Sequence, residues 1–298
     1  MQQINRIPLN GGDLFLSAIQ KQEWGVGLND LYTRDNQFVC VYLPESVYSH
    51  EPESSLLIVI HGYGARKNNA RGRQLVRGIA NFWGQQVSNY NWVVMAPHFD
   101  ENRFDKNYQR LNLSGLRADL RLNQLVQTLS ELISPVEIKA RFLLGFSGGG
   151  QFGHRYLAFN DQNIARAVIG APGWFMWPMT RLPYPLGLRV PNEPGQARKR
   201  LHRLCSQEML VLVGDKDLQQ GAYRKTYKQV DLCRLQGEGR RERAINWFST
   251  LKKAAYKEKI EFRSHLQLLK NTYHRVNRVF AQTAVNFLTG AQDRSKGL

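Results

Sequence analysis

The chain has 298 residues, of which 42% are hydrophobic, and a formal net charge of +17. This length suits one large α/β domain or two smaller ones. No apolar run approaches the roughly 18 residues that a membrane-spanning helix needs, and residues 1–10 lack the plan of a signal peptide. The three cysteines, Cys40, Cys205 and Cys233, form no C-x-x-C pair and are odd in number. We therefore expect a cytoplasmic protein with reduced thiols.

The positive charge lies almost entirely in residues 150–298. Such a field favours anionic partners, whether acidic substrates, membrane surfaces or nucleic acid. The lysines and arginines are dispersed, however, and no RNA- or DNA-binding signature accompanies them. We therefore expect a solvated basic surface without specific nucleic-acid binding.

The apolar patterns predict alternating strands and helices. Short alternating segments within residues 12–43, ending before Pro44, indicate antiparallel strands at a sheet edge. Continuous apolar runs predict buried strands at 56–60, 92–96, 164–170 and 209–213, with one more strand ending at Phe146 and another at 260–268. Helical periodicity marks 67–88, 114–133, 151–157, 195–206, 239–257 and a final helix ending near Thr289.

This alternation predicts the α/β class, with a mostly parallel central sheet and helices on both faces. We expect a single domain over residues 1–298, with a frayed tail at 291–298. Ligands of such sheets bind beyond the carboxyl ends of the strands, so the residues that follow each strand are the candidates for chemistry.

Residues 171–196 interrupt the alternation. Their prolines forbid a long helix, whereas Trp174, Phe175 and Trp177 are costly to leave in water. We expect an ordered, lid-like insertion or pocket wall over the site, because it follows the carboxyl end of a strand. A loop that simply packs on the body is the alternative.

The sequence GFSGG at residues 145–149 follows an apolar run and precedes a helical pattern. This G-x-S-x-G arrangement is typical of a strand that turns sharply into a helix with a serine at the apex. Glycines are needed on both sides because the apex backbone is strained and the neighbouring chain passes close by. The pattern predicts Ser147 as a nucleophile.

A serine hydroxyl needs a base to remove its proton and a carboxylate to orient that base. Hydrolases whose nucleophile lies in a G-x-S-x-G turn have their catalytic residues in the chain order serine, acid, histidine. The base should therefore follow both the serine and the acid. Of seven histidines, His274 alone lies in a loop between the last strand and the final helix. The others are less suited, as surface residues (His50, His202), residues that precede the serine (His61, His98), a strand residue (His265) and a buried structural residue (His154).

Two aspartates, Asp215 and Asp217, follow the strand at 209–213. Asp217 is preferred as the acid because the extra residues let the turn reach the histidine, and Asp215 is expected to shape that turn. The oxyanion of a tetrahedral intermediate needs two donors, usually backbone N–H groups. Gly148, directly after the serine, and Tyr63, in the turn HGYG at 61–64, are the predicted donors.

Together the HGYG turn, the GFSGG elbow, the VGDKD turn at 213–217 and the late His274 resemble the α/β-hydrolase superfamily across roughly residues 38–290. Within it the chain resembles bacterial serine esterases related to polyhydroxyalkanoate depolymerases. The stretches that carry this closer resemblance are APHFD at 96–100, IGAPGW at 169–174 and GEGRRERA at 237–244. Secreted polymer depolymerases carry a signal peptide and often a polymer-binding domain, so polymer degradation is not expected here. The residues Asn271-Thr272-Tyr273 also replace the small residues that often precede the histidine.

The resemblance implies a serine hydrolase, free of metal and cofactor, that cleaves a carboxylic ester through an acyl-enzyme. Trp174, Phe175 and Trp177 are expected to shape an apolar acyl pocket. Two alternatives stay open: a thioesterase or serine peptidase with the same triad, and a hydrolase-fold protein that binds an anionic partner without catalysis.

Overall fold

The computed structural model describes residues 16–17, 25–48, 53–134, 136–218 and 235–291. The chain forms two compact units, Met1–Leu143 and Leu144–Leu298. The single domain expected from the sequence stays a prediction. The expected tail lies outside the described residues from 292 onward, as does Cys233. No helix in the described ranges combines the length and the apolar character of a membrane span.

The first unit contains strands β1 to β5 in the order β1-β2-β3-β5-β4. Their bounds are Leu16–Ser17, Gly27–Thr33, Phe38–Leu43, Glu53–Ile60 and Trp92–Pro97. The pairs β1–β2, β2–β3 and β3–β5 are antiparallel, and β4 and β5 are parallel. The antiparallel edge predicted within residues 12–43 is therefore confirmed at 16–17 and 25–43, and residues 12–15 and 18–24 lie outside the described residues.

Two helices belong to the first unit, α1 (Ala70–Val87) and α2 (Ala118–Leu132). Asn69 begins α1, because its side chain accepts a hydrogen bond from the Gly72 amide at 2.9 Å. Helix α1 packs on β3 and β5, and its inner residues Val76 and Ala80 are fully buried. Strands covered in this way have apolar residues at successive positions, which is why their runs in the sequence do not alternate.

Strand β6 (Glu137–Phe146) begins in the first unit and ends in the second. The second unit then continues with α3 (Gly148–Phe159), β7 (Arg166–Gly170), α4 (Gln196–Ser206), β8 (Met209–Gly214), α5 (Arg240–Lys257), β9 (His265–Leu269) and α6 (Arg278–Thr289). The strands β7, β8 and β9 pair in parallel. Helix α3 packs on β7, α5 packs on β8 and β9, and α6 packs on β7 and β8.

One strand boundary was predicted wrongly. The strand expected at 260–268 begins only at His265. Lys259 adopts a left-handed φ of 56°, and the amide of Ile260 donates back to the carbonyl of Ala255 at 2.9 Å. The chain therefore still turns away from α5 at the residues that the apolar pattern assigned to the strand.

The residues between β7 and α4 form turns rather than a helix or a sheet, as their prolines required. Two parts of this insertion are hydrogen-bonded to each other. The Trp177 amide donates to the Leu186 carbonyl at 2.6 Å, and the Leu188 amide donates to the Met179 carbonyl at 3.2 Å. The insertion is thus internally braced, and its action as a lid stays a prediction.

A buried histidine fixes the turn that follows β4. His61 is 1% exposed; its Nδ1 donates to the Gly62 carbonyl at 2.8 Å, and its Nε2 accepts from the Phe99 amide at 2.9 Å. Because Nε2 accepts an N–H, the ring is neutral with its proton on Nδ1. The Tyr108 hydroxyl donates to the His61 carbonyl at 2.8 Å.

We expect this histidine to make stability depend on pH. Burial lowers the pKa of His61 from 6.5 to about 3, so below pH 6.5 the unfolded chain takes up a proton that the folded protein excludes. The contribution of His61 to the free energy of unfolding is complete above the pKa that this residue has in the unfolded chain. It decreases as pH falls, by about 2 kcal/mol between about pH 7.5 and pH 5. Urea denaturation at the two pH values should show a smaller loss in His61→Gln than in the wild type. Equal losses would contradict this account.

Candidate active site

Ser147 lies at the apex of a sharp turn between β6 and α3. Its φ of 57° and ψ of −111° are unusual for a residue with a side chain, and such conformations are strained. The Ser147 amide donates to the Gly170 carbonyl at the end of β7 at 2.8 Å. A β-carbon at Gly145 would lie 2.2 Å from the carbonyl oxygen of Gly149. The predicted strand–turn–helix with its obligatory glycine is therefore confirmed.

The structure brings Ser147, His274 and Asp217 together. His274 Nε2 lies 3.0 Å from Ser147 Oγ, and His274 Nδ1 lies 2.6 Å from Asp217 Oδ2. The side chain of Asp217 is 0% exposed, whereas that of His274 is 23% exposed. Because the Nδ1–H group donates a hydrogen bond to the carboxylate, Nε2 is left to accept a hydrogen bond from the serine hydroxyl.

The acid turn after β8 and the loop of His274 are bonded directly to each other. The Lys216 amide donates to the Thr272 carbonyl at 3.1 Å, and the Thr272 amide donates to Asp215 Oδ1 at 3.2 Å. A β-carbon at Gly214 would lie 2.0 Å from the Thr272 carbonyl oxygen, so the two segments approach as closely as glycine allows. The Asp215 side chain thus bonds to the loop of His274, whereas the sequence predicted only that it shapes its own turn.

Aromatic rings support the imidazole. The Phe146 ring centroid is 4.8 Å from that of His274, and Phe280 of α6 meets Phe146 edge-on at 5.4 Å. Phe146 directly precedes Ser147, so the ring that contacts the base belongs to the residue next to the nucleophile. This packing restricts the orientation of His274.

His154 has a structural role, as predicted. It is 0% exposed; its Nδ1 donates to the Gly150 carbonyl at 2.9 Å, and its Nε2 accepts from the Met176 amide at 2.8 Å. Burial lowers the pKa of His154 well below its ordinary value, so the ring is neutral. Nδ1 thus bonds within α3, and Nε2 connects α3 with the insertion.

The three aromatic residues predicted for the acyl pocket are buried. Trp174, Phe175 and Trp177 are 8%, 1% and 5% exposed. The Phe175 ring stacks on Trp247 of α5 at 4.6 Å, and its backbone exchanges two hydrogen bonds with the Gln236 amide, at 3.0 and 2.9 Å. Phe175 therefore packs inside the second unit, and the contact of these residues with a substrate stays a prediction.

Arg243 joins the insertion to α5. Its guanidinium carbon lies 3.7 Å from the Trp174 ring centroid. Its Nη1 donates to the Gly173 carbonyl at 2.6 Å, and its Nε donates to the Gly237 carbonyl at 2.9 Å. Neither Gln236 nor Arg243 was identified from the sequence, although an arginine on the apolar side of a helical pattern is a signal that could have found it.

The predicted oxyanion donors lie in different units. Gly148 is the first residue of α3, and amides of a first helical turn have no acceptor within their helix. Tyr63 opens the 3-10 turn Tyr63–Arg66 after β4 and is 41% exposed. Each follows a strand, as predicted, and their joint role is a proposal.

Neither the known protein-family profiles nor the curated protein sequences contain a match to this chain. Solved structures do match. LpqC, a poly(3-hydroxybutyrate) depolymerase from Bordetella parapertussis, is 20% identical with a TM-score of 0.72, over 89% of this chain and 90% of LpqC. Poly(aspartic acid) hydrolase-1 from Sphingomonas sp. KT-1 is 18% identical with a TM-score of 0.69, over 91% and 98%.

FphF, a fluorophosphonate-binding serine hydrolase from Staphylococcus aureus, is 13% identical with a TM-score of 0.52, over 89% of this chain and 99% of FphF. At such identities the likeness concerns the fold. It confirms the predicted α/β class and the α/β-hydrolase fold.

Proposed function

We propose that this chain is a serine hydrolase that cleaves carboxylic esters through an acyl-enzyme formed on Ser147. The observation that carries the proposal is the unbroken hydrogen-bond series from Ser147 Oγ through His274 to the buried carboxylate of Asp217. A scaffold without catalysis has no physical need for a strained serine that is bonded to a base and an acid. The solved esterases and hydrolases of this fold add support.

In the acylation step, Ser147 Oγ attacks the ester carbonyl while His274 Nε2 takes the hydroxyl proton. Asp217 holds the ring by accepting from Nδ1 and stabilises the imidazolium that forms. The amides of Gly148 and Tyr63 are the proposed donors to the oxyanion. The carbon–oxygen bond to the leaving group then breaks, and His274 gives its proton to the departing alcohol. The products are the free alcohol and an ester on Ser147.

Deacylation repeats these steps with water. His274 Nε2 takes a proton from water as its oxygen attacks the acyl carbon, and the oxyanion forms in the same place. The bond to Ser147 Oγ then breaks, and the imidazolium returns its proton to the serine. Free carboxylic acid leaves, and every group of the enzyme regains its initial state, so water is the only co-reactant.

We propose further that the insertion with Trp174, Phe175 and Trp177 bounds the acyl side of the site, since it follows the end of β7. We also place the enzyme in the cytoplasm. Cys40 and Cys205 are free, and unpaired cysteines are the rule in the reducing cytoplasm, which supports this location.

A panel of substrates tests the proposed reaction. If the chain is an esterase, we expect a p-nitrophenyl ester of a short acyl chain to exceed the matching acyl-CoA thioester and p-nitroanilide in kcat/KM by about 10-fold or more. Rapid mixing should release a burst of p-nitrophenolate of about one equivalent per chain if deacylation is slower than acylation. Preference for the thioester or the anilide would favour the corresponding alternative. Absence of turnover on all three would contradict the proposal.

A further inference from the structure

The buried acid has a second partner besides the histidine. Asp217 Oδ1 accepts a hydrogen bond from Arg240 Nη1 at 2.9 Å, while Oδ2 accepts from His274 Nδ1 at 2.6 Å. The side chains of Asp217 and Arg240 are 0% and 12% exposed. Both carboxylate oxygens are thus engaged in charge-assisted contacts, one with the proposed base and one with a cation that the proposed reaction does not use.

The position of Arg240 has two physical consequences. A carboxylate held at one oxygen cannot rotate about its terminal bond without breaking that contact, so Oδ2 stays directed at the imidazole. The guanidinium also offsets the cost of removing the Asp217 charge from water. A methionine at this position, which has neither a charge nor an N–H donor, would supply neither effect.

The first turn of α5 connects the same acid turn through its backbone. The Arg241 amide donates to the Asp217 carbonyl at 3.1 Å, and Arg241 Nη1 donates to the Asp215 carbonyl at 3.0 Å. A β-carbon at Gly239, which precedes α5, would lie 2.9 Å from the Leu218 carbonyl oxygen. Helix α5 therefore begins in direct contact with the segment that holds the acid.

Other charged groups near this pair have different partners. Asp215 accepts from the Thr272 amide, and Lys216 Nζ lies 5.8 Å from the Tyr273 ring centroid. The Arg241 side chain contacts a backbone carbonyl rather than a carboxylate. Among the residues that the structure describes, Arg240 is accordingly the arginine that bonds to the Asp217 carboxylate.

We infer that Arg240 is a positioning residue for the proposed hydrolysis, which fixes the Asp217 carboxylate so that Oδ2 faces His274 Nδ1. This inference rests on the proposed function. It also assigns a purpose to the arginines of the stretch at 237–244. Arg240 and Arg241 hold the acid turn, and Arg243, less than one helical turn later, holds the insertion.

The test compares Arg240→Met, Arg240→Lys and the control Arg198→Met, which removes an exposed arginine of α4 that pairs with Glu258. In Arg240→Met we expect kcat to fall by about 10-fold to 100-fold, with KM changed by less than about 3-fold. The reason is the loss of the charge-assisted bond from Arg240 that orients the Asp217 carboxylate. Arg240→Lys should restore part of kcat, and Arg198→Met should keep the wild-type kcat.

A double-mutant cycle separates positioning from a general structural effect. If Arg240 acts through Asp217, then adding Arg240→Met to Asp217→Asn should lower the rate of fluorophosphonate labelling by less than about 2-fold. A further loss in the double variant, relative to Asp217→Asn, that is as large as the loss in Arg240→Met alone would overturn the inference, as would a wild-type kcat in Arg240→Met. Should Arg240→Met fail to fold by near-UV circular dichroism, the same cycle with Arg240→Lys decides. An inactive wild type would instead refute the proposed function.

Discussion

Replacing Ser147 by alanine is expected to lower kcat for a p-nitrophenyl ester by about 10⁴-fold to 10⁶-fold, because the acyl-enzyme cannot form without the hydroxyl. Any remaining rate would come from substrate binding and oxyanion stabilisation. Steady-state assays at high enzyme concentration measure this loss. Ser206→Ala is the control, because that serine lies at the exposed end of α4 and only bonds to the Arg203 carbonyl.

The strained backbone at Ser147 should also affect the stability of the protein. Ser147 has φ of 57°, a conformation that glycine adopts at lower cost, so Ser147→Gly should raise the free energy of unfolding by about 1 kcal/mol while remaining inactive. Urea denaturation of the wild type and of both Ser147 variants tests this. Hydrolysis near the wild-type rate by Ser147→Ala would contradict the assignment of the nucleophile.

Replacing Asp217 by asparagine is expected to lower kcat by about 10⁴-fold, because a neutral amide neither holds the required tautomer of His274 nor stabilises its imidazolium. KM should change little, since the acid is buried behind the histidine and contacts no substrate. The pH dependence of kcat, measured with the same ester, checks this expectation.

Asp215→Asn is the matched control for the acid. Its Oδ1 accepts from the Thr272 amide, and an asparagine oxygen can accept the same bond, so activity should fall by less than about 5-fold. A greater loss in Asp215→Asn than in Asp217→Asn would reverse the assignment of the two aspartates.

The parts of the site that the sequence predicted well are local. The elbow requires glycine wherever a β-carbon would meet backbone. Gly145 and Gly149, which make this contact, are only four residues apart in the sequence. The placement of the acid and the base at the ends of strands follows from chain order in a parallel sheet. Asp217 could be preferred over Asp215 because the turn length alone decides which carboxylate reaches the histidine.

The parts that the sequence missed depend on contacts between distant segments. Arg240 reaches Asp217 across 23 residues, and Gln236 reaches Phe175 across 61. The ring of Phe175 stacks on Trp247 of α5, a contact that the sequence did not predict, and its place in the acyl pocket stays a prediction. Nothing in a local pattern distinguishes an aromatic residue that faces a ligand from one that faces a helix.

The strand boundary at residue 265 was missed for a similar reason. Residues 260–264 have a strand-like composition, but the turn at Lys259 and the hydrogen bond from Ile260 back to Ala255 keep them out of the sheet. The Ser264 hydroxyl also donates to the Gln207 carbonyl at 2.8 Å, a contact across 57 residues. Tertiary contacts of this kind override propensity at the ends of elements.

Labelling with a fluorophosphonate probe, followed by peptide mass spectrometry, tests the central claim most directly. The reagent phosphonylates a serine that is activated by a base. We predict one adduct per chain, on the peptide that contains Ser147, with a labelling rate that falls steeply in His274→Ala. An adduct on another residue, or an unlabelled wild-type protein, would contradict the account.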